Sequence, residues 1–222
     1  MNLVTKLLEN SLEIKAKKIN TLVIEDRKYF TLFLREIIDN INKESETLDL
    51  IEDYKKLDFS KSTEVIFDLF SLNANGANLL KKLYIELEKD LNSEDMYKKK
   101  IELEGSLSNF IDDLVFRSRF SLRYGEINYS SLFKSFSVEF DYDKGSTIES
   151  LIEYFKVSSD LLNKKLFIIV NLDSFLTDDD LIELANFLCY NEIKVLGLQN
   201  SITREIKACD NLRIVDKDLC EI

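Results

Sequence analysis

Short apolar runs and one helical stretch alternate over the first 70 residues of the chain. Leu12 to Lys15 alternates apolar and polar side chains, and Thr21 to Ile24 is rich in β-branched residues, so both predict strands. Between 27 and 42, apolar residues recur at three- and four-residue steps, which predicts an amphipathic helix packed on a sheet. The polar stretch that follows contains one predicted strand at Thr47 to Ile51, and Val65 to Phe70 predicts another, buried strand.

The pattern becomes helical after Asn73. Apolar stripes over Leu80 to Leu91 and over Leu103 to Leu114 predict two long helices between 77 and about 120. Ser93 follows a polar break and can cap the second helix, so the two helices are predicted to form a hairpin. Two helices alone cannot cover both apolar faces, which indicates packing against another subunit or against the main body.

An α/β rhythm returns from about residue 144. Ser146 to Glu149 has the spacing of a capping box, and its helix is predicted to run to about Asn163. Leu166 to Val170 is typical of a parallel strand that is buried on both faces. The remaining predicted elements are a helix capped by Thr177 and the strands Ile193 to Leu198 and Leu212 to Val215.

Strand–helix–strand alternation at both ends of the chain predicts an α/β fold with one mostly parallel sheet flanked by helices. The central helical segment is then an insertion, so the predicted layout is an α/β head with a helical-hairpin leg. The predicted head comprises residues 1–72 and 144–222, and the predicted leg comprises residues 73–143.

The composition excludes several classes of chemistry. Because none of the 222 residues is histidine, Ser-His and Cys-His pairs, histidine zinc sites and histidine general bases are excluded within this chain. The three widely separated cysteines, Cys189, Cys209 and Cys220, predict reduced thiols. A phosphate-binding loop is excluded because Asn73 to Asn78 has one glycine and predicts only the turn before a helix.

No apolar run is long enough to span a bilayer, and the first ten residues lack the features of a secretory signal. These two observations predict a cytoplasmic protein without a membrane partner.

Two groups of acidic residues on predicted helices are candidate metal ligands. Asp178 to Asp180 could form a cluster, but consecutive helical residues diverge and first-turn aspartates are favoured by the helix dipole, so capping is the preferred interpretation. A metal-dependent nuclease is an alternative function, since two-metal cleavage needs no histidine. Its candidate carboxylates are Glu86, Glu88, Glu102 and Glu104.

The net charge of −11, from 30 basic and 41 acidic residues, argues against a nucleic-acid partner. Basic residues are nevertheless concentrated on and beside the predicted leg, where a solvated helix face is the alternative interpretation. Oligomerisation could bring such patches to one central opening. The candidate DNA-binding residues are Lys81, Lys82, Lys98, Lys99, Lys100, Arg117, Arg119, Arg123 and Lys134.

Several motifs resemble those of the type II-A CRISPR-associated adaptation protein family. Lys164 to Thr177 is similar to that family's lysine pair, buried strand, asparagine and FLT segment. Ile193 to Leu198 follows at the family's usual distance, and weaker similarities lie at Thr21 to Asp26, Val65 to Leu72 and Tyr124 to Ile127. The resemblance extends over nearly the whole chain in order.

This resemblance implies a homotetrameric ring whose central hole binds linear double-stranded DNA ends without sequence preference. It also implies a protein that is not an enzyme and that acts in spacer acquisition together with the CRISPR integrase and the RNA-guided effector nuclease. A protein-interaction scaffold without DNA binding is the third functional alternative.

Calcium is the cofactor that the resemblance implies. Calcium prefers six to eight oxygen ligands, mostly from carboxylates and carbonyls. The plausible carboxylate donors in this sequence are Glu126, Asp141 and Asp143. Arg123 and Gly125 stand where more acidic residues are expected in relatives, so a weakened, reshaped or lost site is the alternative.

Overall fold

The computed structural model of the chain describes residues 1–141, 145–201 and 210–222. The chain divides into two units, the first formed by Met1–Ala74 with Asp143–Ile222 and the second by Asn75–Tyr142. The predicted α/β class is confirmed. Whether the two units are independent domains, as the head-and-leg division predicts, stays a prediction.

The described strands all belong to the first unit and form two sheets. In chain order they are β1 (Asn2–Val4), β2 (Leu12–Glu13), β3 (Ile19–Ile24), β4 (Asp49–Glu52), β5 (Lys55–Leu57), β6 (Thr63–Ile66), β7 (Leu166–Val170), β8 (Lys194–Gln199) and β9 (Asp210–Val215).

Seven α-helices lie within the described residues. In chain order they are α1 (Arg27–Ile41), α2 (Phe59–Ser62), α3 (Ala77–Asp90), α4 (Glu94–Arg117), α5 (Tyr129–Ser135), α6 (Thr147–Leu162) and α7 (Asp178–Tyr190).

The larger sheet has the strand order β6-β7-β8-β3-β9, and every neighbouring pair in it is parallel. All residues of β3 and β7 are buried, and the continuous apolar run of β7 predicts this for a central strand covered on both faces.

The two faces of this sheet carry separate cores. On one face, Leu22 and Ile168 pack with Phe33 and Ile37 of α1. On the other face, Phe167 packs with α6 and α7, and its ring centroid lies 4.3 Å from that of Phe155. Alternate residues of each strand point to opposite faces, so a five-residue apolar strand supplies both cores.

The second sheet is antiparallel, with the order β2-β1-β4-β5. The prediction of one sheet was wrong in this respect. Strands β1 and β5 have only three residues each, which is too short to give a recognisable period of two. The strand predicted at Thr47 to Ile51 is β4, displaced by one or two residues.

The strand predicted over Val65 to Phe70 is shorter than expected. It ends at Ile66, because the carboxylate of Asp68 accepts a hydrogen bond from the backbone N–H of Phe70 and starts a 3₁₀ turn. Phe67 and Phe70 are 50% and 70% exposed, so the predicted burial of these two rings was wrong.

Both predicted caps in the C-terminal part are confirmed. Ser146 and Glu149 form a capping box at the start of α6, and Thr177 forms another with Asp180 at the start of α7. Asn163 ends α6 in the left-handed conformation with φ 54°, which asparagine tolerates better than most residues.

Glu52 connects the two sheets. Its carboxylate accepts hydrogen bonds from Lys165 at 2.8 Å and from Lys194 at 2.7 Å. Lys165 directly precedes β7, and Lys194 is the first residue of β8. Burial acts to raise the pKa of Glu52, but the two lysine hydrogen bonds outweigh it, and the pKa of this carboxyl is lowered.

None of the helices in the described part of the chain has the length and hydropathy that a bilayer span needs. Cys189 and Cys220 are free and exposed, and Cys209 lies outside the described residues.

Candidate nucleic-acid interface

The second unit is held together around α3. Tyr84 is buried, its ring lies 5.8 Å from that of Phe133 on α5, and its hydroxyl donates to the carbonyl of Val138 at 2.9 Å. Asn75 and Phe140 exchange two hydrogen bonds of 3.0 and 2.8 Å, which close the unit near both of its ends. The segment Leu132 to Ser135 belongs to helix α5.

Helix α4 is the longest element of the second unit. Its 24 residues span about 36 Å at 1.5 Å per residue, and none of them is buried. Glu94 and Asp95 lie in its first turn and Arg117 in its last, which is the charge order that the helix dipole favours.

The predicted DNA-binding residues all lie in this unit. Lys81 and Lys82 are exposed on α3, and Lys134 is exposed in the last turn of α5. The others are on α4 or in the seven-residue segment that begins at its last residue. The exposed residues of this second group are Lys98, Lys99, Arg117, Arg119 and Arg123.

Lys100 differs from its two neighbours. Its side chain is only 19% exposed, and its ammonium donates to Asn92 Oδ1 at 2.8 Å. The same nitrogen lies 4.0 Å from Glu104 Oε1 and 5.7 Å from the centroid of the Tyr129 ring. These contacts engage Lys100 within the unit, whereas Lys98 and Lys99 are exposed to solvent.

We call residues 117–123, which carry Arg117, Arg119 and Arg123, the arginine loop. Within it, the Arg119 guanidinium lies 5.0 Å from the centroid of the Phe120 ring. A planar guanidinium on an aromatic face loses less freedom when it binds a phosphate, because its orientation is already restricted.

Charge is distributed unequally between the two units. Asn75–Tyr142 contains ten basic and twelve acidic residues, whereas the rest of the chain contains twenty basic and twenty-nine acidic residues. The second unit therefore carries little of the net charge of −11, and a polyanion is repelled less there.

The chain after the arginine loop returns along α4. The hydroxyl of Tyr124 donates to Asp112 Oδ1 at 2.7 Å, and that of Tyr129 donates to Glu104 Oε1 at 2.9 Å. Burial and then the hydrogen bond to Glu104 raise the pKa of Tyr129 to about 12. The hydrogen bond to Asp112 is the main cause that raises the pKa of Tyr124.

A cavity lies in the second unit between α4 and the returning segment. Its volume is about 670 Å³. Leu107, Ile111 and Ile127 line it together with polar groups that include Lys100 and Glu126. The space next to the clustered polar groups is therefore open rather than filled by side chains.

Whether Glu126, Asp141 and Asp143 bind calcium stays a prediction, because one of the three lies outside the described residues. Glu126 is exposed in the segment between α4 and α5, Asp141 is exposed near the end of the unit, and Asp143 lies outside the described residues. No group of three or more acidic or cysteine side chains in the described ranges could hold a metal ion. Calcium prefers six to eight oxygen ligands, which include backbone carbonyls as well as carboxylates.

Two of the four carboxylates considered for a nuclease have other contacts. Glu86 pairs with Lys89 at 2.7 Å, and Glu104 accepts the hydrogen bond from Tyr129. Asp180 belongs to the capping box of α7, which supports the capping interpretation of Asp178 to Asp180.

Sequence reasoning missed the residues that support this surface. Tyr84 and Asn75 fit helical or turn patterns that give no hint of their contacts, and the roles of Asp112, Tyr124 and Tyr129 depend on a chain reversal. The sequence shows two tyrosines, Tyr124 and Tyr129, after the arginines. No pattern in it identifies the carboxylates that accept their hydrogen bonds.

Together, the fold and this surface define an α/β protein with a helical second unit that displays exposed basic side chains. Comparison with known proteins gives the family. The chain belongs to the CRISPR-associated protein family Cas_Csn2, whose family model matches residues 40–219. The membership predicted from the sequence motifs is thus confirmed.

Two relatives are named CRISPR-associated protein Csn2. The protein of Enterococcus faecalis is 29% identical over 201 residues, covering 89% of this chain and 89% of the relative. The protein of Streptococcus agalactiae is 26% identical over 155 residues, covering 69% of this chain and 70% of the relative.

Among solved structures, a putative ABC transporter ATP-binding protein from Pyrococcus furiosus is similar with a TM-score of 0.40 and 10% sequence identity. The similarity covers 92% of this chain and 88% of that protein.

Proposed function

We propose that this protein binds the ends of linear double-stranded DNA without sequence preference, through the central hole of a homotetrameric ring. In this role it supports the acquisition of new spacers in type II-A CRISPR immunity and catalyses no reaction. Membership of the Cas_Csn2 family is the observation that carries the proposal.

The arrangement of charge supports a DNA surface on the second unit. Lys98, Lys99 and the arginine loop present five exposed cations on one long helix and the segment that follows it. Contacts between such side chains and phosphates release counterions, and this effect supplies affinity that does not depend on base sequence.

Helix α4 supports self-association. Leu103, Phe110 and Leu114 recur along one flank of α4 and are 42%, 59% and 51% exposed. Exposed apolar side chains in a row favour burial against another chain. In a homotetramer, a second copy of this chain would cover them.

The remaining parts of the proposal concern cofactor, partners and location. Calcium is the proposed cofactor, with Glu126, Asp141 and Asp143 as carboxylate donors, and a weakened, reshaped or lost site is the alternative. The proposed partners are double-stranded DNA, the CRISPR integrase and the RNA-guided effector nuclease of the same system, in the cytoplasm.

A mobility-shift experiment tests the DNA proposal. Linear and covalently closed circular DNA of one sequence are titrated with the protein at several salt concentrations, with and without calcium, beside a sizing run. We expect linear DNA alone to be bound, by a particle of about four chains. Equal binding to both topologies would contradict end-threading, and binding to neither would favour the protein-interaction scaffold.

A combined variant tests the location of the surface. Alanine at Lys98, Lys99, Arg117, Arg119 and Arg123 should weaken binding equally for all sequences and lower the salt slope by roughly 0.9 for each phosphate that the variant no longer neutralises. The control removes the same charge from exposed positions of the first unit and should keep the wild-type slope. Its substitutions to alanine are at Lys6, Arg27, Lys28, Lys55 and Lys217.

The nuclease alternative is tested on the same material. Labelled DNA is incubated with the protein and Mg²⁺ or Mn²⁺, and with a Glu86→Gln/Glu102→Gln variant. We expect intact DNA in each case. Cleavage that the wild type catalyses and the variant does not would favour the nuclease.

A further inference from the structure

We propose that two tyrosine–carboxylate hydrogen bonds hold the arginine loop against α4 and thereby position its arginines for DNA. The bonds are Tyr124 with Asp112 and Tyr129 with Glu104, and we call them together the tyrosine clasp. This inference rests on DNA binding as the proposed function, and it adds positioning residues to that surface.

The order of the contacts shows how the loop is closed. Asp112 and Glu104 are eight positions apart on α4, about 12 Å along the helix axis. Tyr124 contacts the acceptor near the end of α4, and Tyr129 contacts the acceptor farther back. The chain therefore reverses after Arg117 and runs antiparallel to the helix, with the whole arginine loop between Asp112 and Tyr124.

Packing gives this reversal little other support. No residue of α4 is buried, and the space between α4 and the returning segment is the cavity of about 670 Å³. A Cβ added at Gly125 would meet no atom within 4 Å. Because no residue of α4 is buried there, we expect the loop to open more readily when the two hydrogen bonds are lost.

Lys100 belongs to the clasp. Its ammonium lies over the Tyr129 ring and near Glu104, and its hydrogen bond to Asn92 holds it in that place. With a side chain 19% exposed, Lys100 is poorly placed to contact phosphate. We therefore assign it as a positioning residue, in contrast to the exposed Lys98 and Lys99.

The two tyrosines of the clasp are uncharged at neutral pH. Both tyrosines donate as neutral hydroxyls, and the raised pKa of each keeps the hydroxyl protonated well above neutral pH. Each hydroxyl occupies one lone pair of its carboxylate and brings no charge of its own.

The test compares substitutions that remove only the clasp hydroxyls. Tyr124→Phe/Tyr129→Phe should weaken binding to linear DNA by about three- to tenfold, the size expected for loss of one or two hydrogen bonds, with the salt slope unchanged. Trypsin should cut after Arg117, Arg119 and Arg123 several times faster than in the wild type. The control is Tyr97→Phe, an exposed tyrosine of α4, which should change neither result.

A second pair of variants approaches the clasp from its acceptor. Asp112→Asn keeps a carbonyl oxygen that can accept the Tyr124 hydroxyl, so it should retain wild-type resistance to trypsin and at least wild-type DNA affinity. Asp112→Ala removes the acceptor and should behave like Tyr124→Phe.

Lys100 is tested against Lys99. Lys99→Ala should lower the salt slope by roughly 0.9, the value for one phosphate contact. Lys100→Met should leave the slope unchanged and speed trypsin cleavage in the loop.

The possible results separate the two proposals. If the wild type binds no DNA, the proposed function fails and the clasp loses its role with it. If the wild type binds DNA but the double phenylalanine variant matches it in affinity and in trypsin cleavage, only the clasp is overturned. A reduced salt slope for Lys100→Met equal to that of Lys99→Ala would return Lys100 to the DNA contacts.

Discussion

At the scale of single residues, neighbours of one type in the sequence have different roles in the fold. Lys98, Lys99 and Lys100 form one basic run, yet only the last is enclosed by Asn92, Glu104 and Tyr129. The basic run itself could be predicted from the sequence. The separation of its members could not, because it depends on a tyrosine that the chain reversal brings back to α4.

Glu52 gives the clearest prediction at this scale. Glu52→Gln should lower the free energy of unfolding by about 1–2 kcal/mol at pH 7, because each carboxylate oxygen accepts from one lysine and the variant replaces one of these oxygens by an amide N–H₂. Chemical denaturation of both proteins measures the difference. Glu44→Gln, at an exposed carboxylate of the same unit, serves as the control and should change little.

The pH dependence of this difference follows from the lowered pKa of Glu52. The ionised carboxylate stabilises the fold above the unfolded-state pKa of about 4.3, and this contribution is lost as the pH falls through the lower folded-state pKa. The difference between wild type and Glu52→Gln should thus be constant from pH 7 to about pH 5 and shrink below about pH 4. A constant difference down to about pH 3 would refute the assigned role.

At the scale of elements, the sequence predicts best where several local signals agree. Leu166 to Val170 is an apolar run after two lysines, Ser146 and Glu149 have capping-box spacing, and structure and prediction coincide at both places. The prediction failed over Val65 to Phe70. There the apolar run continues past the strand, and a single side-chain hydrogen bond to Asp68 ends it.

The helix caps allow a matched comparison. Ser146 accepts a hydrogen bond from the backbone N–H of Glu149, whereas Ser93 occupies the same position before α4 without a side-chain cap bond. Ser146→Ala should destabilise the protein by about 1 kcal/mol, and Ser93→Ala should cost much less. Thermal unfolding of the two variants measures both effects, and equal losses would show that the cap bond contributes nothing.

At the scale of the whole molecule, the composition excluded histidine-dependent catalysis and a phosphate-binding loop. The comparison with known proteins then gave the family. The net charge of −11 predicted no nucleic-acid partner. This argument is incomplete, because net charge does not record how charge is distributed along the chain. Only the division into units shows that the second unit is close to neutral. The second, antiparallel sheet is likewise a property of the whole fold, since its short strands have no clear signal of their own.

The oligomer is the prediction that belongs to this scale. Leu103→Asp/Phe110→Asp should dissociate the proposed tetramer without loss of helical signal, because neither side chain is buried within its own chain. Sedimentation velocity and circular dichroism give the two measurements. Ile101→Asp changes a residue of similar exposure on the opposite side of α4 and should leave the assembly intact.

The position of β3 in the parallel sheet affects the order of folding. Ile19 pairs with Val195 on one side and with Asp210 on the other, so both neighbours of this fully buried strand lie far away in the sequence. During synthesis, the apolar β3 must wait until both partners have left the ribosome, whereas the second unit makes its contacts among nearby residues. The second unit can therefore form first, while β3 is the segment most exposed to misassembly and to capture by chaperones.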